Sequence, residues 1–374
     1  MKEPEKATKK AKELKQMTIA KTRLAEPLDD IEVEITPSTL VIGGGVAGMT
    51  SALAIAKKGF KVYLIEKEKQ LGGLVRDLKR LNLDELPSED FINPLIEKVK
   101  TNPNIEIFTS STLRELSGSL GNFSAIINQE NNEKSLKVGT IIVATGGKEF
   151  KPIGYYSYNK NDHVYTNLEF DNFLHNENLN KNEAIAFIQC VGSREETGRT
   201  YCSLTCCGES IKNALMVKEK YPHAQIYILY RDLRVFFEEE LKYSEARQKG
   251  INFIQYIPEK PPILKNSDEK LTLEVFDSFV GEYYNLTVDR LVLATPLVSW
   301  EDSKQLSEML KVPIDKNGFF LEAHAKLRPV DFATDGIFLC GSTQSPKNIN
   351  ESISQALGAA SRALILLMKG MSIV

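Results

Sequence analysis

The pattern of apolar and polar positions changes character at Ser38. Before it, residues 1–37 are polar and helix-favouring, with a sparse apolar spacing at Leu14, Met17, Ala20 and Leu24 that Ile19 only partly joins. That spacing predicts a helical extension, solvated or docked on the surface. After it, TLVIGGGVAGMTSALAIAKKGFKVYLIEK reads as strand, glycine turn, helix, strand, the pattern of a parallel βαβ unit. Short apolar runs predict further strands at 104–109, 122–127 and 140–144, the last entering the turn Thr145-Gly146-Gly147. A second alternation begins near residue 160, with strands at 184–189 and 225–230 around a helix over roughly 204–220, then strands near 251–255, 271–276 and 290–294. GIFLCGS (336–342) leads into a helical stretch at 353–368. No tandem short repeat interrupts this order. It predicts an α/β protein of two doubly wound, dinucleotide-binding-type domains, the second inserted in the first. The expected division is an N-terminal helical extension (1–37), one domain from 38–155 and 286–374, and an inserted α/β domain (156–285).

Composition narrows the class. A chain of 374 residues exceeds one ordinary hydrophobic core, and 42% hydrophobic with 26% charged residues is the balance of a globular protein. A net charge of −3 gives no reason to expect nucleic acid as a partner, and no apolar run approaches the ~20 residues that span a bilayer. The leading MKEPEKATKKAKELKQ has the lysines of a signal peptide without its apolar stretch, so a cytoplasmic location is expected.

Gly43-Gly44-Gly45-Val46-Ala47-Gly48 satisfies G-x-G-x-x-G after a strand and at the start of a helix, the setting such a turn requires. Gly43 is expected to permit the tight turn, Gly45 to admit a pyrophosphate to the backbone, and Gly48 to let helix and sheet pack closely. The helix N-terminus would then meet the phosphates with unpaired N–H groups and partial positive charge. Glu66, at the end of the second strand, is placed to accept from adenosine ribose hydroxyls, which disfavours a 2′-phosphorylated nucleotide. The turn does not decide between FAD and NAD. Two later motifs favour FAD: the flexible stretch Gln70-Leu71-Gly72-Gly73-Leu74, and the strand and turn Gly336–Ser342, of the kind that closes over a flavin's ribityl chain. That turn is often Gly-Asp in two-dinucleotide-domain flavoproteins; Gly341-Ser342 substitutes a hydroxyl and removes a negative charge.

Four of the five cysteines crowd into Cys190-x11-Cys202-x3-Cys206-Cys207. Cys190 closes the strand AIAFIQ, at the sheet end where open α/β proteins hold ligands. Cys202 and Cys206 would share a face of a helix begun there, with Cys207 about 100° round it. Such an arrangement suits a bulky [4Fe-4S] cluster, whose negative charge a helix beginning near residue 204 would stabilise. Zinc on four thiolates stays open, although the spacing supplies one close cysteine pair rather than two. Disulfide redox chemistry, including a vicinal Cys206–Cys207 pair, and plain buried thiols stay open as well. Cys190–Arg194 also stands where a second glycine-rich nucleotide turn would be expected, so direct reduction by NADH or NADPH is not expected. His163, His175, His223 and His324 are dispersed and read as surface or turn residues.

The segments LVIGGGVAGMTSALAIAKKGFKVYLIEKEKQLGG (40–73), IQCVGSREE and YCSLTCC (within 188–207) and LRPVDFATDGIFLCGSTQSPKNINESISQALGAASRA (327–363), preceded by KTRLAEPLDD (21–30), resemble the heterodisulfide reductase A-subunit family. Its members are flavin and iron–sulfur proteins on a thioredoxin-reductase-like core. The resemblance implies FAD, and a [4Fe-4S] cluster on Cys190, Cys202, Cys206 and Cys207, one domain away from the flavin. It sets Gln344–Lys347 beside the flavin, where Lys347 would stabilise the reduced, anionic ring; the plain alternative is a surface lysine. Motifs and resemblance together give the expected cofactor contacts: Gly43, Gly45, Ala47, Gly48, Glu66, Lys67, Gly72, Gly73, Leu74, Thr145, Gly146, Gly341, Ser342, Lys347, Ile349 and Ser352. Larger members carry C-x2-C-x2-C-x3-C-P ferredoxin modules and often a further cluster; this chain has neither, which implies one flavin and one cluster. Compact forms of this kind resemble the A subunit of the heterodisulfide-reductase-like complex of sulfur-oxidising prokaryotes, and also that of a quinone-interacting membrane-bound oxidoreductase of sulfate reducers. The implied role is an electron-transfer subunit in dissimilatory sulfur metabolism, a homodimer within its complex, serving iron–sulfur partner subunits and membrane-associated only through them. A stand-alone NAD(P)H-dependent disulfide or sulfur reductase would need the second nucleotide turn and a redox C-x2-C, and a flavin-stabilised scaffold with structural zinc is the third reading.

Overall fold

In the computed structural model, which describes residues 3–26, 32–81, 86–130, 132–267 and 270–373, the chain folds around two parallel sheets. The first runs, in spatial order, Ile337–Leu339, Thr140–Val143, Ser38–Ile42, Lys61–Ile65 and Ile105–Phe108, every neighbouring pair parallel. Strands covered on both faces need unbroken apolar runs, and every residue of Ser38–Ile42 and Thr140–Val143 is buried. The dinucleotide helix Val46–Ala56 packs on the C-terminal helix Ile349–Lys369 through Met49, Ala52 and Ile55 against Ala356, Ala359 and Ala363. The C-terminal helix starts ahead of the expected 353 because Asn348 and Glu351 form a capping box, and it stops at Gly370 in the left-handed region (φ +68°).

The second sheet runs Val164–Thr166, Arg290–Leu293, Ala184–Ile188, Gln225–Tyr230 and Asn252–Gln255, again all parallel. Arg290–Leu293 pairs with Ala184–Ile188, so the expected boundary at 286 falls too early: an apolar run marks a strand without saying which sheet it joins. The chain crosses between the units at Lys148–Glu149 and at Leu297–Val298, and these two segments pair antiparallel. Each unit also carries a three-stranded antiparallel sheet. One strand of each lies at an expected position, Asn122–Gln129 and Leu271–Asp277; partners such as Asn132–Val138 and Glu282–Val288 expose most of their residues and carry no apolar run.

The N-terminal extension is a helix over Pro4–Arg23 with no buried residue, so it is solvated rather than docked. It does not continue uniformly to residue 37, because Glu32–Glu34 pairs antiparallel with Met371–Ile373 and ties the two ends of the fold together. Residues 27–31, which include the end of KTRLAEPLDD, lie outside the described residues. Among the described residues no helix is long and apolar enough to cross a membrane.

Candidate functional site

A cleft of about 1040 Å³ is lined by residues of both units. The glycine turn forms one wall for steric reasons. Gly43 sits at φ +111°, and a Cβ there would lie 2.3 Å from the Ala144 carbonyl oxygen, so only glycine lets the strand turn beside its neighbour. A Cβ on Gly48 would lie 1.8 Å from the Gly43 carbonyl oxygen; the turn itself, more than the sheet, forbids a side chain. Gly45 differs, with an ordinary φ of −78° and Gly73 Cα as its nearest Cβ neighbour at 3.9 Å, which leaves room on the cleft side. The helix that follows it has no side-chain cap.

Glu66 is 8% exposed and accepts from the Gly44 N–H at 2.6 Å and the Glu68 N–H at 2.8 Å. Each oxygen keeps a further lone pair for a donor in the cleft. The sole tryptophan, Trp300, also lines the cleft, its indole N–H donating to the Thr145 carbonyl at 3.0 Å and the Lys67 ammonium 3.2 Å from its ring centroid. Ser342 and Lys347 reach the cleft from the C-terminal turn. Burial lowers the pKa of the Lys347 ammonium, which donates to Ser345 Oγ at 2.7 Å. Every expected cofactor contact lines the cleft except Gly48 and Gly341. Gly341, at φ +77°, shapes it instead: its Cβ would press on the Ala47 methyl at 2.7 Å. Sequence reasoning missed Trp300, Glu149, Phe150 and Arg199, which also line the cleft. Trp300, Glu149 and Phe150 sit on or near the crossing segments, apart from any motif, whereas Arg199 lies within the cysteine-rich stretch between Cys190 and Cys202.

Of the four clustered cysteines, Cys206 lines the cleft. Cys190 follows the strand Ala184–Ile188 at φ +63°, and Cys206 opens the helix Cys206–Lys220. That helix begins at Cys206, two residues past the expected start near 204. Leu204 is left-handed (φ +61°) and the Thr205 N–H bonds back to the Ser203 carbonyl at 2.8 Å, so Cys202 sits on a turn and shares no helical face with Cys206. Cys190, Cys206 and Cys207 are buried, while Cys202 is half-buried. The Leu204 N–H donates to Cys202 Sγ at 3.4 Å, and Arg194 Nη1 lies 3.8 Å from Cys190 Sγ while also pairing with Asp232. Burial, then the neighbouring Cys207, pushes the Cys190 thiol up to about 11. Cys206, hydrogen-bonded to Cys207 and buried near Cys190 and Cys202, is also raised. As they stand, no three or more His, Cys, Asp and Glu side chains among the described residues are disposed to hold a metal ion. Next to Cys190, the fully buried Gln189 amide has no hydrogen-bond partner, and neither has the Thr295 hydroxyl on the adjacent strand end. Cys206, on the second unit, lines the same cleft as the glycine turn of the first. Cys340 is buried in the first unit's core, and burial pushes its thiol up to about 12.

A dinucleotide turn heading one parallel sheet, a second parallel sheet reached through paired crossings, and a cleft shared by both define an oxidoreductase of the two-dinucleotide-domain class. Residues 37–192 match the Pyridine nucleotide-disulphide oxidoreductase family. Thioredoxin reductase of Lactococcus lactis in its FR conformation shares the fold, with a TM-score of 0.62 and 19% identity over 89% of this chain and 100% of that one. The T. acidophilum thioredoxin reductase does so at a TM-score of 0.59 and 15% identity, over 89% of this chain and 99% of that one. Closer in sequence is the A subunit of the H(2):CoB-CoM heterodisulfide,ferredoxin reductase of Methanothermobacter thermautotrophicus, 33% identical over 99% of this chain and 70% of its own length. The first iron–sulfur A subunit of the CoB–CoM heterodisulfide reductase of Methanopyrus kandleri is 32% identical over 99% and 70%, and the heterodisulfide reductase A-subunit-like protein of Archaeoglobus profundus 30% over 98% and 71%. The chain belongs to the heterodisulfide reductase A-subunit family and is a flavin-dependent oxidoreductase.

Proposed function

We propose that this chain is an FAD- and [4Fe-4S]-containing electron-transfer subunit of a heterodisulfide-reductase-like complex, serving dissimilatory sulfur metabolism and exchanging electrons with iron–sulfur partner subunits. The observation that carries this reading is that Cys206 and the Gly43–Gly48 turn wall one cleft. The residues present fit FAD. Val46 and Ala47, at an uncapped and buried helix N-terminus, would hold the pyrophosphate, Gly45 leaves it room, and Glu66 would take the ribose hydroxyls. Gly72–Leu74, Thr145-Gly146, Ser342 and Lys347 would surround the flavin end. The four thiols, three of them buried, would supply the donor type and number that a cluster takes, with the Leu204 N–H and the Arg194 guanidinium as counterweights to its negative charge. Bound there, a flavin exchanges electrons in pairs and a [4Fe-4S] cluster singly.

The protein's own part is electrostatic and positional. Buried thiols such as Cys190 must lose their protons to bind metal, so loading releases protons. Lys347 brings a half-buried positive charge to the flavin side. The half-buried Cys202 and the exposed Leu204 mark the corner that a partner subunit would approach. Relatives named as subunits of heterodisulfide reductases support such a partner. Anaerobic purification with iron, sulfide and FAD quantitation, followed by EPR of the dithionite-reduced protein, tests the reading. About four iron per chain and a cubane signal are expected; FAD with no iron and no signal refutes the cluster, and one zinc in its place supports the scaffold instead.

A further inference from the structure

Past the cleft-lining turn Gly73–Asp77, the segment Leu78–Arg80 lies against the helices Asn167–Asn176 and Cys206–Lys220 of the second unit. The contacts are made to backbone groups. Asp171 Oδ2 accepts from the Lys79 N–H at 2.7 Å, the Lys212 ammonium donates to the Arg80 carbonyl at 3.0 Å, and Asn172 Nδ2 donates to the Asp77 carbonyl at 3.2 Å. Lys212 and Asp171 have side chains only 1% exposed and lie 3.4 Å apart, and Glu209 is 2.8 Å from the same ammonium. An ammonium carries three protons. Three oxygens lie within 3.4 Å of this one, two from its own unit and one, the Arg80 carbonyl, from the other; Asp171 Oδ1 makes an ion-pair contact without a hydrogen bond.

A buried ion pair is a poor source of net stability, because desolvation offsets its attraction and an apolar pair of similar volume does as well. What this pair supplies is register. Only one placement of the two units puts the Arg80 carbonyl on Lys212 and the Lys79 N–H on Asp171. Units linked by a pair of crossings would otherwise be expected to move relative to one another. Lys212 is on the helix that Cys206 opens, and Arg80 follows closely on the cleft-lining Asp77. We infer that Lys212 and Asp171 are positioning residues: a buried clasp that holds the cysteine helix at a fixed distance from the flavin-side wall of the cleft. The clasp depends on the cofactor reading for its consequence and not for its first test.

Hydrogen exchange on the intact wild-type protein gives that test. The Lys79 amide should exchange as slowly as the core amides of the cysteine helix, and exchange at the rate of an exposed loop overturns the clasp. The double variant Lys212→Met/Asp171→Leu removes both charges at similar volume. It should retain iron and FAD while exchange at residues 78–80 accelerates about ten-fold or more. Flavin-to-cluster electron transfer, followed by stopped flow, should slow, and the magnetic interaction between the two centres in EPR should weaken. Unchanged exchange, transfer rate and magnetic interaction in a folded double variant overturn the assignment. If that variant does not fold, the wild-type exchange comparison decides alone. A slowly exchanging Lys79 in a protein that binds no iron leaves the clasp standing and removes the electron-transfer reading.

Discussion

Alanine at Gly45 and alanine at Gly48 should do opposite things, although the two positions share one turn. At Gly45 the backbone (φ −78°, ψ −174°) suits any residue, and the new methyl would meet only Gly73 Cα at 3.9 Å, an ordinary contact. Restricting the unfolded chain contributes about 0.4–1 kcal/mol, and losing glycine from the N-cap costs a similar amount. These nearly cancel, so the apoprotein's unfolding midpoint should stay within about 1 °C of wild type. The same methyl faces the cleft where a pyrophosphate would approach. Loss of a hydrogen bond to a charged group, about 1.5–3 kcal/mol, then predicts roughly ten- to hundred-fold weaker FAD binding. At Gly48 the methyl would lie 1.8 Å from the Gly43 carbonyl oxygen, a backbone atom that cannot swing away. Overpacking of this kind costs about 1–3 kcal/mol, here at the upper end, and for a chain of 374 residues the midpoint should fall by about 4 °C. Calorimetry of the apoproteins reads the first quantity, and quenching of the single Trp300 during FAD titration reads the second. Wild-type FAD affinity in Gly45→Ala would remove the pyrophosphate from this turn. A Gly45→Ala apoprotein as unstable as Gly48→Ala would refute the steric argument.

Cys206→Ser should lose iron and the reduced-state EPR signal, whereas Cys340→Ala, altering a thiol in the first unit's core, should keep both; iron retained in the first variant would exclude Cys206 as a ligand. NADH should leave the flavin of the isolated protein oxidised while dithionite bleaches it. The turn after Ala184–Ile188 has no second phosphate motif, and a Cβ on its Gly192 would lie 2.5 Å from the Phe150 ring; rapid bleaching by NADH would overturn this. In the apoprotein, burial raises Cys190 from 9.0 to about 11 and Cys340 from 9.0 to about 12. The folded state then holds protons that the unfolded state has lost, so the stability these neutral thiols contribute is complete below pH 9 and is lost as pH rises through about 11 and 12. Denaturant titrations at pH 8, 10 and 11 should show that decline, and a flat profile would contradict the burial argument.

How much of this was legible in sequence follows from what each feature depends on. The parallel strands were legible because burial on both faces demands runs such as TLVI and TIIV, and the glycine turn because its steric demand is local to Gly43 and Gly48. The sheet membership of Arg290–Leu293 was not, since an apolar strand fits any parallel neighbour. That Cys202 sits on a turn ahead of the cysteine helix was not legible, because Leu204 takes a left-handed conformation that its identity does not announce. Trp300 and Arg199 reach the cleft from segments whose path is decided only when the units come together. Lys212 and Asp171 belong to residue types that are almost always exposed, and nothing in the chain marks this pair as buried.

The ends of the helices give an independent reason to assign anionic partners to both walls of the cleft. A helix N-terminus leaves N–H groups unpaired, and one buried without a cap calls for another acceptor. The helices starting at Asn167 and Ile349 have capping boxes, from Thr166 with Glu169 and from Asn348 with Glu351. Among the described helices, two have their first three residues all buried, Val46–Gly48 and Cys206–Gly208, and neither has a side-chain cap. Those two helices follow the glycine turn and carry the adjacent cysteines. Water cannot serve a buried first turn freely, and each helix adds about half a positive charge there. A pyrophosphate at the first and a negatively charged thiolate cluster at the second would satisfy both ends with the same physics. The helix that carries the second also carries Lys212, so the residue fixing the distance between the two walls and the end suited to the cluster belong to one rigid element.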